Sequence, residues 1–123
     1  MQPLSPEKVQ PLLELFCNRD VYLHLETTNG SYAVLRGEKT ISVGSFVRNV
    51  VVRFERGMIT GNGPYRVGLK MEHGWIYAEG LTDWEPDSNE NGLLLAGHDE
   101  EGRLMIAFQL SVTPFGTESG EKE

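Results

Sequence analysis

The sequence holds a single cysteine, Cys17, in 123 residues, so no disulfide can close within the chain. Whatever keeps it folded is noncovalent, and a reducing, cytoplasmic setting is the simplest expectation. Long apolar runs are also missing: no stretch approaches the ~20 residues that a membrane-spanning helix requires, and the N-terminus lacks the basic start and apolar centre of a secretory signal. No membrane is expected. Positive charge is scarce, with 11 basic against 18 acidic residues and a formal net charge of −7. Arg48, Arg53, Arg56, Arg66 and Lys70 are interleaved with apolar residues and form no basic run. Phosphate backbones would be repelled on average, and nucleic acid is not expected as a partner.

Catalytic signatures are equally sparse. No serine lies in a strained glycine elbow, and Cys17 has no histidine near it in sequence. Gly61-x-Gly63 could suggest a phosphate loop, but Pro64 removes an amide, Arg66 stands where a third glycine belongs, and a strand pattern follows instead of a helix. A tight turn feeding a strand is the better reading. No cofactor is expected.

What is present is mostly strand pattern. A chain of this length buries about two thirds of its unfolded surface, enough for one domain with a real core. Ser5-Pro6-Glu7 is a helix start, and Val9, Leu12, Leu13 and Phe16 recur at helical spacing, with Pro11 predicting a kink or a delayed start. From Val21 the period changes to two. Val21, Leu23 and Leu25 alternate with Tyr22, His24 and Glu26, and Asn29-Gly30 predicts a hairpin that returns through Ser31–Leu35. Ile41, Val43 and Val47 have one parity and Val50, Val52 and Phe54 the other, so a bulge or a corner is expected near Arg48-Asn49.

Two more hairpins follow. The first joins Tyr65–Met71 to a strand starting at Trp75 through Glu72-His73-Gly74, and the second joins Leu93–His98 to Arg103–Val112. Asp83–Gly92 reads as a polar surface loop, and Met1–Pro3 as loose. One helix with about seven to eight strands predicts a mainly β (α+β) fold: an antiparallel barrel or strongly curled sheet, with the helix at an end or on a face. Residues 1–114 form the single domain, and 115–123 a disordered charged tail.

Two constellations could carry chemistry. His24 and Glu26 lie two apart on one strand face, a spacing that lets an imidazole and a carboxylate address one metal or one proton. A metal site needs at least one further ligand, for which His98, Glu79, His73 and Cys17 are the candidates; His73 in a turn and Cys17 on the helix's apolar side are the poorer choices, and a solvated or hydrogen-bonded face is the plainer reading of the pair. Trp75, Tyr77 and Glu79, with Tyr65, Arg66 and Asn62 beside them, place aromatic rings next to a carboxylate and a guanidinium, which suits a small polar ligand such as a sugar or amino-acid derivative. Cross-strand core packing explains the same aromatics and is the plainer reading.

The segments VYLHLETTNGSY (Val21–Tyr32), GNGPYRVGLK (Gly61–Lys70), GWIYAEGLT (Gly74–Thr82) and LLLAGHDEEGRL (Leu93–Leu104) resemble the YojF family, small proteins of Gram-positive bacilli. The resemblance covers nearly the whole chain apart from its C-terminal tail. It implies no catalytic residue and no established activity. What it does imply is a neighbourhood, because genes of this family tend to lie beside that of an LmbE-like zinc-dependent deacetylase of bacillithiol synthesis, whose product is a thiol built on glucosamine and malate. The chain lacks the acid-rich histidine motifs of that deacetylase. Three expectations result: a non-catalytic binding or accessory module taking a sugar or thiol-sugar beside the deacetylase; a metal-assisted small-molecule enzyme using His24, Glu26 and His98; or a homodimer whose aromatics form the subunit interface.

Overall fold

The structure is a computed structural model and describes residues 1–28, 44–86 and 91–116. The Asn29-Gly30 hairpin and its return strand lie outside the described residues, as does the tail from Thr117. The elements in order are β1 (Gln2–Pro3), α1 (Pro6–Leu15), β2 (Val21–Thr28), β3 (Gly44–Val52), β4 (Phe54–Gly61), β5 (Tyr65–Met71), β6 (Gly74–Leu81), β7 (Asp83–Pro86), β8 (Gly92–His98) and β9 (Leu104–Ser111).

These strands make two antiparallel sheets. Six are ordered β1-β7-β8-β9-β2-β3, and three are ordered β4-β5-β6. The expected mainly β fold with one helix is present, but among the described residues no barrel closes, and the nine strands exceed the seven or eight expected. The expected curl takes another form: the chain changes sheet twice, at Arg53 between β3 and β4 and at Thr82 between β6 and β7. A strand that passes from one sheet to the other makes a corner without closing the hydrogen-bond ladder.

The parity slip marks a bulge. Leu23 pairs with Val50 but His24 with Arg48, so Asn49 has no opposite residue, and its φ of 61° lies in the left-handed region that asparagine tolerates. Further along, Asp83–Pro86 is a strand and not a surface loop: it pairs with β8, and Trp84 is buried. Gln2 and Pro3 extend the same sheet by pairing with Trp84 and Asp83, so Met1–Pro3 is not loose.

Period-two burial builds the core between the sheets. Val67, Leu69, Ala78 and Leu81 come from the smaller sheet, while Val21, Leu23, Leu95, Phe108 and Leu110 come from the larger. The helix adds Val9, Leu13 and Phe16. It starts at Pro6 with no delay, because a proline in the first turn loses no hydrogen bond, and Pro11 sits on its exposed side. Gln10 reaches β4: its Nε2 donates to the Gly57 carbonyl at 2.8 Å, and its Oε1 accepts from the Ile59 amide at 3.0 Å. The sheets come into close contact at Gly97, where a Cβ would stand 2.0 Å from the Gly80 carbonyl oxygen and 2.6 Å from an Ile106 methyl. Only glycine fits there.

Candidate functional site

On the outer face of the three-stranded sheet, alternation sends Val67, Leu69 and Ala78 to the core and leaves Arg66, Lys70, Trp75, Tyr77 and Glu79 outside. Trp75 is 45% and Tyr77 48% exposed, so the expectation that these rings are core is wrong. Their rings are stacked, with centroids 5.7 Å apart and planes within 1° of parallel. The Arg66 guanidinium lies 4.7 Å from the Tyr77 centroid, and the Lys70 ammonium 5.9 Å from that of Trp75. Arg66 also donates to Glu79 at 2.9 Å. Lysine, tryptophan, tyrosine, arginine and glutamate thus run in sequence across one exposed face.

Gly68 makes the arrangement possible. It pairs with Tyr77 on one side and Met58 on the other, and a Cβ there would come within 3.0 Å of the Tyr77 ring. Without a side chain at that position, the ring settles onto the sheet. Two expected members are elsewhere. Tyr65 packs against the core, on the opposite parity from Arg66, and Asn62 is exposed in the turn between β4 and β5. The site proper is Arg66, Lys70, Trp75, Tyr77 and Glu79; the sequence reading omitted Lys70, although its parity matches that of Arg66.

The histidines and Glu26 do not form one site. His24 and Glu26 do meet, with Nε2 3.2 Å from Oε1, and Arg48 Nη1 approaches His24 Nδ1 at 3.1 Å. A guanidinium can only donate, so Nδ1 accepts and Nε2–H donates to Glu26, which leaves the ring no free lone pair for a metal. The imidazole is 6% exposed and lies edge-on to Phe46 and Phe115. Arg48 continues to the Gly116 carbonyl at 2.7 Å, and the Phe115 amide donates to Asn49 Oδ1 at 2.8 Å. Phe115 and Gly116, which the sequence reading gave to the tail, are therefore tied to β3.

His98 is far from this cluster. The register sets Leu94 and Gln109 in line with His24, which puts His98 two strands over and four residues along, roughly 15 Å away. Among the described residues no three His, Cys, Asp or Glu side chains stand close enough to hold a metal ion. The His24, Glu26, His98 metal set is not assembled, because strand register separates its ends.

The sequence relatives decide the family. The sequence model of the family described as "Protein of unknown function (DUF1806)" matches residues 3–115. "Uncharacterized protein YojF" of Bacillus subtilis (strain 168) is 51% identical over 115 residues, 94% of this chain and 98% of that one. This chain belongs to the YojF family. A solved structure, "Crystal Structure of Bacillus subtilis YojF protein", superposes with a TM-score of 0.77 at 45% identity, covering 94% of this chain and 96% of that one.

In this member of the YojF family, His98 has a partner that the sequence reading missed. Its Nδ1 lies 2.7 Å from Asp83 Oδ2, the Thr82 hydroxyl donates to the same oxygen at 2.8 Å, and the His98 amide donates to that hydroxyl at 3.0 Å. Burial alone would raise the Asp83 pKa, but the Thr82 hydrogen bond and the His98 pairing outweigh it and hold the carboxyl below its ordinary value. The carboxylate accepts from Nδ1–H and fixes the ring, which leaves Nε2 as the acceptor nitrogen of the neutral imidazole. Asp83 and His98 are fifteen positions apart, and only the register of β7 on β8, with Asp83 opposite Ala96, brings them together. No helix among the described residues is long and apolar enough to cross a membrane.

Proposed function

We propose that the chain is a non-catalytic binding module whose cation and aromatic face on the three-stranded sheet takes a small polar ligand of the sugar or thiol-sugar class. Its role is accessory to an LmbE-like deacetylase of bacillithiol metabolism, in the cytoplasm. One observation carries the reading: Trp75 and Tyr77, large rings that folding normally hides, are held in the open between Lys70, Arg66 and Glu79. Exposed aromatics offer C–H and π contacts to a sugar ring, while the two cations select a carboxylate such as malate. Arg66 also has a carboxylate partner already, so an anionic ligand exchanges one ion pair for another at low cost.

The enzyme alternative has no comparable support, since His98 stands apart from the His24–Glu26 pair and the His24 nitrogens are both engaged. Titration of the chain with glucosaminyl malate and with bacillithiol, followed by the fluorescence of Trp75 and by melting temperature, tests the ligand. A pull-down with the deacetylase tests the accessory role. Saturable binding that Trp75→Ala abolishes is the expected result. Absence of binding to either compound and to the deacetylase removes the proposal.

A further inference from the structure

A cavity of about 530 Å³, with no residue of that face in its lining, opens between the end of α1, the strands β7 and β8, and Val112 just past β9. Its wall is mainly apolar, including Leu12, Leu15, Phe16 and Val112, and Trp84 also lines it. Trp84 is 5% exposed, yet its indole nitrogen is buried without a hydrogen-bond partner. That is uncommon, because buried donors in folded proteins are satisfied with few exceptions and each orphan costs free energy.

Among the described residues Arg19 is the only charged side chain in the lining. Its neighbour in sequence, Asp20, is engaged by Arg53 at 3.1 Å, and Arg19 itself has no ion-pair partner among the described residues. An apolar space of ligand size and one uncommitted cation in its lining select a particular chemistry. We infer that this cavity binds a small carboxylate with an apolar body, such as a medium-chain acid: the hydrocarbon lies along Leu12, Phe16 and Val112 beside the Trp84 ring, and Arg19 supplies the opposite charge. The overall charge of −7 works against any anion. Arg19 is therefore what distinguishes an acid from its neutral analogue.

The test uses the full chain carrying Trp75→Phe, so that Trp84 is the only tryptophan left to report. Octanoate is titrated against octanamide, which keeps the chain and an acceptor but not the charge. Octanoate is expected to saturate a change in Trp84 fluorescence and to raise the melting temperature, with octanamide about five-fold weaker. Arg19→Gln, a change at an exposed position, should bring octanoate to the octanamide level. Arg66→Gln, on the other sheet, should change neither. No response of Trp84 to octanoate up to roughly 10 mM, equal affinity for the two compounds with Arg19 intact, or loss of binding in Arg66→Gln overturns the assignment. Because neither compound is a sugar, failure here leaves the proposed role of the Trp75 face standing.

Discussion

The two sheets present outer faces built from the same kinds of residue and finished in opposite ways. On the larger sheet His24, Glu26 and Arg48 meet beneath Phe46 and Phe115, and every nitrogen of the imidazole has a partner. On the smaller sheet Arg66, Lys70 and Glu79 meet around Trp75 and Tyr77 with nothing described above them. Each face combines aromatic rings with opposite charges. The difference is the cover: the Phe115-Gly116 segment is bonded down over the first, and glycine at position 68 flattens the second. A polar cluster that is covered and fully bonded serves stability, whereas one left open is available to a ligand.

The largest effect should come from the seam on which both faces rest. Gly97→Ala forces a methyl onto the Gly80 carbonyl, and since backbone cannot give way as a side-chain tip can, denaturant melts should show a loss of more than about 3 kcal/mol. Both faces should fail together; a variant that melts like the parent would mean the sheets do not meet there. Next is the covered face. His24→Ala removes a buried ring packed on Phe46 and Phe115 together with the partner that Arg48 and Glu26 share, and chemical denaturation should report about 2 kcal/mol of destabilisation. A cost near zero would make the two faces equivalent and erase the contrast.

On the open face, Gly68→Ala should cost about 1 kcal/mol, because the Tyr77 ring can shift away from the new methyl. Its clearer signature is a changed Trp75 emission as the stacked pair separates. At the corner between the sheets, Asp83 has a folded pKa below its ordinary 3.8, so its contribution is complete above that pH and is lost as pH falls through the lower folded value. The stability difference between the parent and Asp83→Asn, under about 1 kcal/mol for a partly exposed group, should therefore shrink below about pH 4; a difference that grew on acidification would reverse the assigned direction. Smallest of all, Arg66→Gln should change the melt by no more than about 0.5 kcal/mol while weakening ligand binding, which is the combination that separates an open site from a covered one.

Much of this architecture was legible in the residues. Period-two alternation located the hairpins of β5 with β6 and β8 with β9, and a parity slip located the bulge at Asn49. Trp84 was lost to a loop because Pro86 and the polar residues after it suggest a turn, and β1 is two residues long, too short to have a period. The open face was half legible. Alternation separated Trp75 and Tyr77 from Ile76 and Ala78, but hydrophobicity assigned the larger rings to the core, and the geometry did the reverse because the small residues were needed where the sheets pack. The pairing of Asp83 with His98 depends on strand register alone, which no residue pattern within β7 or β8 reveals.

Gln10 has a consequence beyond anchoring the helix. With one amide group it donates to a strand carbonyl and accepts from a strand amide two residues on, as the backbone of a tenth strand would. The outer margin of β4 is thereby closed to strand addition by a side chain. If two copies of this chain associate, they cannot do so by extending the smaller sheet past β4, and Gln10→Ala would uncover an adhesive rim that the native protein keeps shut.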